Sequence, residues 1–255
     1  MEEVLLVEQE KIYVPEMRLF REFVDNQSEH WKKRDEIYIK TNYLLASRPS
    51  ELLSKVVPSH IKRHMSNPYG KLLTSDIVSY KKPDGKVVPI LLVHSAIAKK
   101  FKTQKKKQQE TSPQPSPQPT IPESIKVQMK DVPIVCDLAA EPWSLDLLHW
   151  IQKNNLNKKS LSFNIVEMTC QNIIRKCLHQ LDPTASPKSL RHWRVSHLRR
   201  NYGFDGIELT AFTGWSLSNT YGQLGQKVSP MIDVYCHTSW LDYVQKLLVP
   251  LSEVL

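Results

Sequence analysis

Cysteine is scarce in this chain and long apolar runs are missing, and both absences narrow the classes of protein to which it can belong. The 255 residues include four cysteines, at positions 136, 170, 177 and 236. None stands in C-x-x-C spacing, which argues against a zinc knuckle or redox motif and for reduced thiols. No run approaches the roughly 18 apolar residues of a membrane span, and the start, MEEV, has no basic leader. We therefore expect a cytoplasmic, nucleoid-associated protein.

The composition is that of a folded, basic protein. Apolar residues make up 40% of the chain, which is enough for a real core and for one large domain or two small ones. The net charge is +9 and the isoelectric point is about 9.3. Such an excess favours a polyanionic partner, but a lysine-rich stretch at 99–107 supplies much of it, so charge alone does not identify nucleic acid.

Hydrophobic periodicity predicts a mostly helical α+β protein. Helices are expected over 15–26, 33–47, 49–53, 95–102, 145–153, 165–180, 190–202, 206–214 and 240–248. Two β-prone runs, 77–80 and 87–92, flank a Pro83-Asp84-Gly85 turn and predict an antiparallel hairpin. The fold class is therefore α+β with one small antiparallel sheet.

A low-complexity stretch interrupts this pattern. Residues 103–132 begin with lysine and glutamine and continue with alternating proline. Such a composition cannot bury enough surface to order itself, so we expect a disordered insertion. The chain is then one domain, 11–251, divided by that insertion.

Several separated motifs carry the groups that hold and attack a phosphodiester without a metal. Arg48 lies in the run LASRPSELL, and Lys188 precedes Arg191 by three residues in KSLRH. An indole follows at Trp215, and a phenol at Tyr235 in IDVYCH. Arginine suits phosphate because its planar fork grips two oxygens at once.

These motifs resemble those of the tyrosine recombinase (phage integrase) family, whose chemistry is shared with type IB topoisomerases. Residues 43–53 resemble the first-arginine box, 190–198 the second box, 209–215 the short helix that ends in Gly-His or Gly-Trp, and 234–235 the nucleophile box. The predicted hairpin resembles the family's lysine-bearing hairpin. The resemblance implies the recombinase catalytic-domain fold.

The resemblance also implies roles for the residues that matter to cleavage. Tyr235 would be the nucleophile that forms a 3′-phosphotyrosyl bond, with Tyr221 as a rival nucleophile in the preceding loop. Arg48 and Arg191 would clamp the phosphate. Lys188 stands where the family more often has histidine, and its ordinary pKa near 10 makes it a poor base.

The remaining implied roles belong to supporting groups. Trp215 would donate its indole N–H to a phosphate oxygen. Lys81, eight residues before Pro89, would protonate the leaving oxygen, with Lys82 as the alternative hairpin lysine. Glu51 would orient Arg48, and His192 would be structural.

The resemblance implies a site-specific recombinase or integrase that acts on double-stranded DNA, self-associates on it as a dimer or tetramer, and needs no metal or cofactor. The first box begins within 50 residues, so the family's N-terminal core-binding domain is expected to be absent. One alternative is a catalytically inactive or partner-dependent DNA-binding relic of an integrated mobile element. Another is a helical scaffold for acidic proteins, in which Arg48, Lys188, Arg191 and Tyr235 lie apart. A second register, His197 with Arg200, ranks below the first.

Overall fold

The computed structural model of the chain describes residues 13–56, 65–67, 70–97, 129–154, 160–215 and 238–255. Its helices precede and follow a three-stranded antiparallel sheet. This confirms the expected α+β class with a small antiparallel sheet. No helix in these ranges is both long and apolar enough to cross a membrane.

Three helices form the N-terminal part: α1 (Met17–Asn26), α2 (Lys33–Leu44) and α3 (Pro49–Leu52). Helix α2 is buried over nearly its whole length. It ends at Leu44, three residues earlier than predicted. Ala46 adopts φ 44°, and Arg48 is extended because a residue before proline avoids the helical region.

The sheet has the strand order β3-β4-β5, where β3 is Thr74–Lys81, β4 is Val87–Ala96 and β5 is Met129–Val135. Strands β3 and β4 form the predicted hairpin, which is confirmed, with Gly85 at φ 85° in its turn. A separate ribbon pairs β1 (Lys55–Val56) with β2 (Met65–Ser66).

Strand β5 overturns two boundaries predicted from the sequence. Residues 129–132, assigned to the insertion, belong to this strand and pair with the end of β4. Ser95 and Ala96, assigned to the start of a helix, are the last residues of β4, because pairing with β5 extends that strand. Ile97 follows the strand without helical structure, and the remainder of both predicted segments, 98–128, lies outside the described residues.

The C-terminal part is helical. It contains α4 (Trp143–Lys153), α5 (Glu167–Leu178), α6 (Ser189–Arg200), α7 (Gly206–Thr213), a 3-10 turn (Trp240–Asp242), α8 (Val244–Leu247) and α9 (Leu251–Val254). The first four match predicted helices to within two residues at each end. The predicted helix 240–248 is instead a 3-10 turn followed by the short α8.

Packing around α2 brings distant parts of the chain together. Helix α2 packs against α6 and α4, and α7 packs against β5. Aromatic rings fill the centre, where Phe20 lies 4.8 Å from Tyr43 and 5.3 Å from Trp193 between ring centroids. Hydrogen bonds made by Arg191 and Lys130 place the turn after α2 beside the start of α6, the start of β5 and the end of α7.

Candidate functional site

A buried carboxylate with three cations around it lies where these elements meet. Glu51 Oε1 is 3.1 Å from Arg48 Nη1, and Glu51 Oε2 is 3.6 Å from Lys130 Nζ and 3.9 Å from Arg191 Nη1. The Glu51 side chain is fully buried. We call these four residues the Glu51 cluster. One negative charge faces three positive charges, so the cluster has a surplus of positive charge.

The local sequence R-P-S-E builds the first half of the cluster. Pro49 opens α3, and Glu51 occupies its third position, where its Oε2 accepts a hydrogen bond from the Arg48 backbone N–H at 3.0 Å. Asn67 donates to the carbonyls of Ser50 and Leu53, each at 2.6 Å, and fixes the short helix. The Arg48 side chain keeps 24% of its surface exposed, so the open side of the cluster lies there.

Arg191 enters the cluster from the first turn of α6. Its Nη1 donates to the Ala46 carbonyl at 2.6 Å and its Nη2 to the Thr213 carbonyl at 2.9 Å. The left-handed backbone of Ala46 is uncommon for a non-glycine residue. Burial lowers the pKa of Arg191 to about 10, with Glu51 raising it and Arg48 lowering it further. A guanidinium has five N–H donors, and these two hydrogen bonds use two of them, while only 5% of the side chain is exposed to solvent.

Lys130 completes the cluster and was missed from the sequence. It lies on β5 opposite Ser95, its side chain is 1% exposed, and its Nζ donates to the Leu45 carbonyl at 3.2 Å. Burial lowers its pKa to about 8, against a raising effect of Glu51. Alternation along the strand is the sequence signal that could have identified it, because Lys130, Val132 and Ile134 all occupy core-facing positions.

Trp215 lies against the cluster because α7 ends at a glycine. Gly214 adopts φ 70°, and a Cβ there would lie 2.8 Å from Ile97 Cδ1 and 3.4 Å from Lys130 Cδ. Only glycine suits both the conformation and the space. The half-buried Trp215 ring has its centroid 5.0 Å from Arg191 Cζ, which is cation–π distance.

Lys188 and His192 lie next to Arg191 on α6. Lys188 is the exposed residue just before the helix, about one turn from Arg191. His192 is half-buried, and its pKa is lowered below 6.5 by burial and then by Arg191 and Lys188. All three effects favour the neutral imidazole.

The structure does not bring the hairpin lysine to the Glu51 cluster. Exposed Lys81 pairs with Val87 at one end of β4, whereas Lys130 pairs with Ser95 eight residues along it. At about 3.3 Å per residue, these pairs lie about 26 Å apart. Lys82 lies in the same distant turn, where its N–H donates to the Lys86 carbonyl.

Both candidate nucleophiles, Tyr235 and Tyr221, lie outside the described residues. The alternative register is described, and it places His197 in the core. One ring nitrogen is 2.8 Å from the Tyr43 hydroxyl and the other 2.8 Å from the Pro15 carbonyl, while Arg200 is exposed. Burial lowers the pKa of His197 to about 4, so this residue is a neutral packing group.

The charges and donors of the Glu51 cluster suit an oxyanion at its open side, beside Arg48. The cluster combines fixed guanidinium donors, surplus positive charge and an indole at its edge, and in the described ranges no group of three or more His, Cys, Asp or Glu side chains is placed to hold a metal ion. No protein-family model, curated protein or solved structure matches the chain. The function must therefore follow from the chemistry of the cluster itself.

Proposed function

We propose that the protein is a tyrosine-type DNA strand transferase with a recombinase-like catalytic fold, which cleaves and rejoins double-stranded DNA at specific sites. One observation carries this proposal. Arg48 and Arg191, far apart in the sequence, meet at the same buried carboxylate with a third cation beside them. A phosphodiester in the act of transfer is the kind of anion that such a site stabilises.

The reaction needs one nucleophile and a cationic cradle. The Tyr235 oxygen attacks phosphorus, the bond to the 5′ oxygen breaks, and a 3′-phosphotyrosyl bond forms as the tyrosine loses its proton and the 5′ oxygen gains one. Rejoining reverses these steps. Arg48 and Arg191 would bind the nonbridging oxygens as their charge grows, and Lys188 and the Trp215 N–H would add further contacts. None of these groups requires a metal or a cofactor.

The scaffold alternative is disfavoured by the same geometry. A helical scaffold for acidic partners predicts that Arg48 and Arg191 lie apart, whereas they approach opposite oxygens of Glu51. The noncatalytic DNA-binding relic predicts the same cluster without covalent chemistry. Catalysis therefore separates the two remaining candidates.

Assembly on DNA as a dimer or tetramer is part of the proposal. The C-terminal segment, which is one possible contact between protomers, packs on its own chain in this structure. Asn201 Nδ2 donates to the Val254 carbonyl at 2.8 Å, and the Leu251 N–H donates to the Ala139 carbonyl at 2.6 Å. Assembly through this segment would have to replace these contacts or build on them.

The decisive experiment is covalent trapping on nicked DNA. A library of nicked duplexes with random sequence is incubated with the protein, and adducts that survive denaturant but not protease are sequenced. We expect an adduct with the wild type and with Tyr221→Phe, and none with Tyr235→Phe, which should still bind DNA.

Each departure from that result has one meaning. Loss of the adduct in Tyr221→Phe alone would move the nucleophile to Tyr221. Binding without any adduct in the wild type would favour the noncatalytic DNA-binding protein. Absence of salt-sensitive DNA binding would reject DNA as the partner, because neutralised phosphates must release counterions.

A further inference from the structure

We propose that Lys130 is a positioning residue of the phosphate site: its ammonium group competes with Arg48 and Arg191 for the Glu51 carboxylate and so keeps both guanidinium groups available to phosphate. This inference rests on the proposed function of the Glu51 cluster. It assigns a role to a residue that no motif in the sequence indicates.

Lys130 is the least exposed cation of the cluster. Its side chain is 1% exposed, against 24% for Arg48 and 5% for Arg191, and its Nζ is already engaged by the Leu45 carbonyl and by Glu51. Lys130 therefore acts through a neighbour, and the neighbour is Glu51 Oε2. That oxygen receives the Arg48 backbone N–H at 3.0 Å and has Lys130 Nζ and Arg191 Nη1 within 4 Å. Without Lys130, this oxygen would attract Arg191 Nη1 more strongly; Nη1 now lies 3.9 Å from it and donates to the Ala46 carbonyl instead.

Lys130 also supports the backbone that aims Arg191. Its Nζ donates to the Leu45 carbonyl, and the next carbonyl, that of Ala46, receives Arg191 Nη1. Its Cδ would lie 3.4 Å from a Cβ at Gly214, the residue before Trp215. One buried side chain thus donates to the turn after α2, faces the carboxylate of α3 and lies beside the end of α7.

The charge on Lys130 is sensitive to pH in a useful range. The charged groups that face it are Glu51 and Arg48 from α3 and its cap, and Arg191 from α6; the Leu45 carbonyl and Gly214, which lie near its side chain, carry no charge. Burial is the largest effect and lowers the pKa of Lys130 to about 8. As pH rises through 8, the cluster loses one positive charge, and Glu51 draws on the two arginines alone.

The test is the affinity for a DNA duplex at fixed ionic strength between pH 6.5 and 9.5. The wild type should lose roughly tenfold in affinity around pH 8, as expected for one charge removed a few ångströms from a partly screened phosphate. Lys130→Arg keeps the charge without titrating and should bind tightly across the range. Lys130→Met should bind at the weak, high-pH level throughout.

Lys40→Met is the matched control, because Lys40 is another buried lysine whose pKa is raised above 10.5. This variant should keep the step at pH 8. A step retained in Lys130→Arg and Lys130→Met, or wild-type affinity of Lys130→Met at pH 7, would overturn the role of Lys130. If Lys130→Arg does not fold, the profile of Lys130→Met decides.

Failure of the inference and failure of the proposed function give different results. Tyr235-dependent adducts together with identical pH profiles in all variants would remove the role of Lys130 and leave strand transfer intact. Failure to bind DNA at every pH would remove both. Both would be supported if DNA affinity falls around pH 8, if only the Lys130 variants abolish this fall, and if adduct formation shows the same dependence on pH.

Discussion

Two buried charge clusters in this protein are built in opposite ways. In the Glu51 cluster, one carboxylate faces three cations. In the second, which we call the Lys40 cluster, Lys40 Nζ lies 2.8 Å from Glu36 Oε1, 2.6 Å from Asp146 Oδ2 and 3.2 Å from Asp25 Oδ1. Here one buried lysine faces three carboxylates. Both lysines are almost completely removed from solvent, so burial does not distinguish them.

The partners decide what each lysine does. Burial lowers the pKa of both, but hydrogen bonds to Asp146 and Glu36 outweigh burial at Lys40 and raise its pKa above 10.5. At Lys130 a single carboxylate is shared with two arginines, and the pKa falls to about 8. A cation with an excess of carboxylates has no charge left for a ligand. A carboxylate with an excess of cations leaves positive charge for an anionic ligand, which is why the Glu51 cluster is the candidate site.

Removing the shared carboxylate should break the comparison most strongly. Glu51→Gln leaves three cations without an anion, and loss of one partner in a buried ion pair costs about 3 to 5 kcal/mol. The stability of this variant should recover as pH rises, because Lys130 then becomes neutral. Urea unfolding at pH 7 and pH 9 measures both effects. Inorganic phosphate should also stabilise the variant. If the loss of stability relative to the wild type is larger at pH 9 than at pH 7, the cluster does not have a surplus of positive charge.

Truncating Arg191 tests whether the surplus serves catalysis. Arg191→Ala should lower the rate of DNA cleavage by about 100- to 1000-fold, the usual cost of losing one preorganised donor to a transition state, and lower DNA affinity much less. The rate of covalent adduct formation on nicked DNA and the equilibrium affinity for DNA, both normalised to folded protein, give the two values.

The matched control for Arg191→Ala lies on the same helix. Arg194 is buried against the rings of Tyr43 and Tyr202, with its Cζ 5.1 and 5.4 Å from their centroids. Arg194→Ala should cost stability without a specific loss in cleavage per folded molecule. Equal losses of rate and affinity in Arg191→Ala would make Arg191 a binding contact only.

The Lys40 cluster should respond to pH with the opposite sign. Among the described residues, Lys40→Met leaves Lys33 as the one cation paired with buried Glu36, with its Nζ 3.0 Å from Glu36 Oε2, so the cost should be about 3 kcal/mol, the low end for a broken buried pair. The carboxylates then favour their protonated forms in the folded state, so stability should recover as pH falls toward 5. Urea unfolding at pH 5 and pH 7 checks this, with Lys33→Met as the exposed-lysine control. Recovery at high pH instead would show that the two clusters are not opposites.

Much of the fold was predictable because its signals are local. The Pro83-Asp84-Gly85 turn between β-prone runs predicted the hairpin, and the motifs around Arg48 and Arg191 singled out two arginines that the structure places beside the same carboxylate. The turn that connects them was not predictable. The helix pattern ran on to residue 47, whereas the left-handed Ala46 that presents its carbonyl to Arg191 depends on tertiary contacts.

Lys130 was missed for a different physical reason. Its place in the site depends on the pairing of β5 with β4 across a long intervening segment, and no short-range pattern encodes that pairing. The expected insertion extended over residues 103–132, although the sequence from Ile125 to Lys130 alternates apolar and polar residues, and the start of the strand was therefore missed. The resemblance implied Lys81 as the lysine of the site, whereas the lysine that lies in the Glu51 cluster is Lys130.

Lys81 should show the smallest effect and sharpen the contrast with Lys130. Because Lys81 lies at the far end of the hairpin from the Glu51 cluster, Lys81→Met should reduce cleavage at most a few-fold and lower the salt dependence of binding by about one phosphate contact. A substrate with sulfur in place of the 5′ leaving oxygen provides the stringent control, because a thiolate leaves without a proton donor. If Lys81→Met loses cleavage severely on the oxygen substrate and regains it on the sulfur substrate, Lys81 is the general acid, and DNA must bring the hairpin end to the cluster.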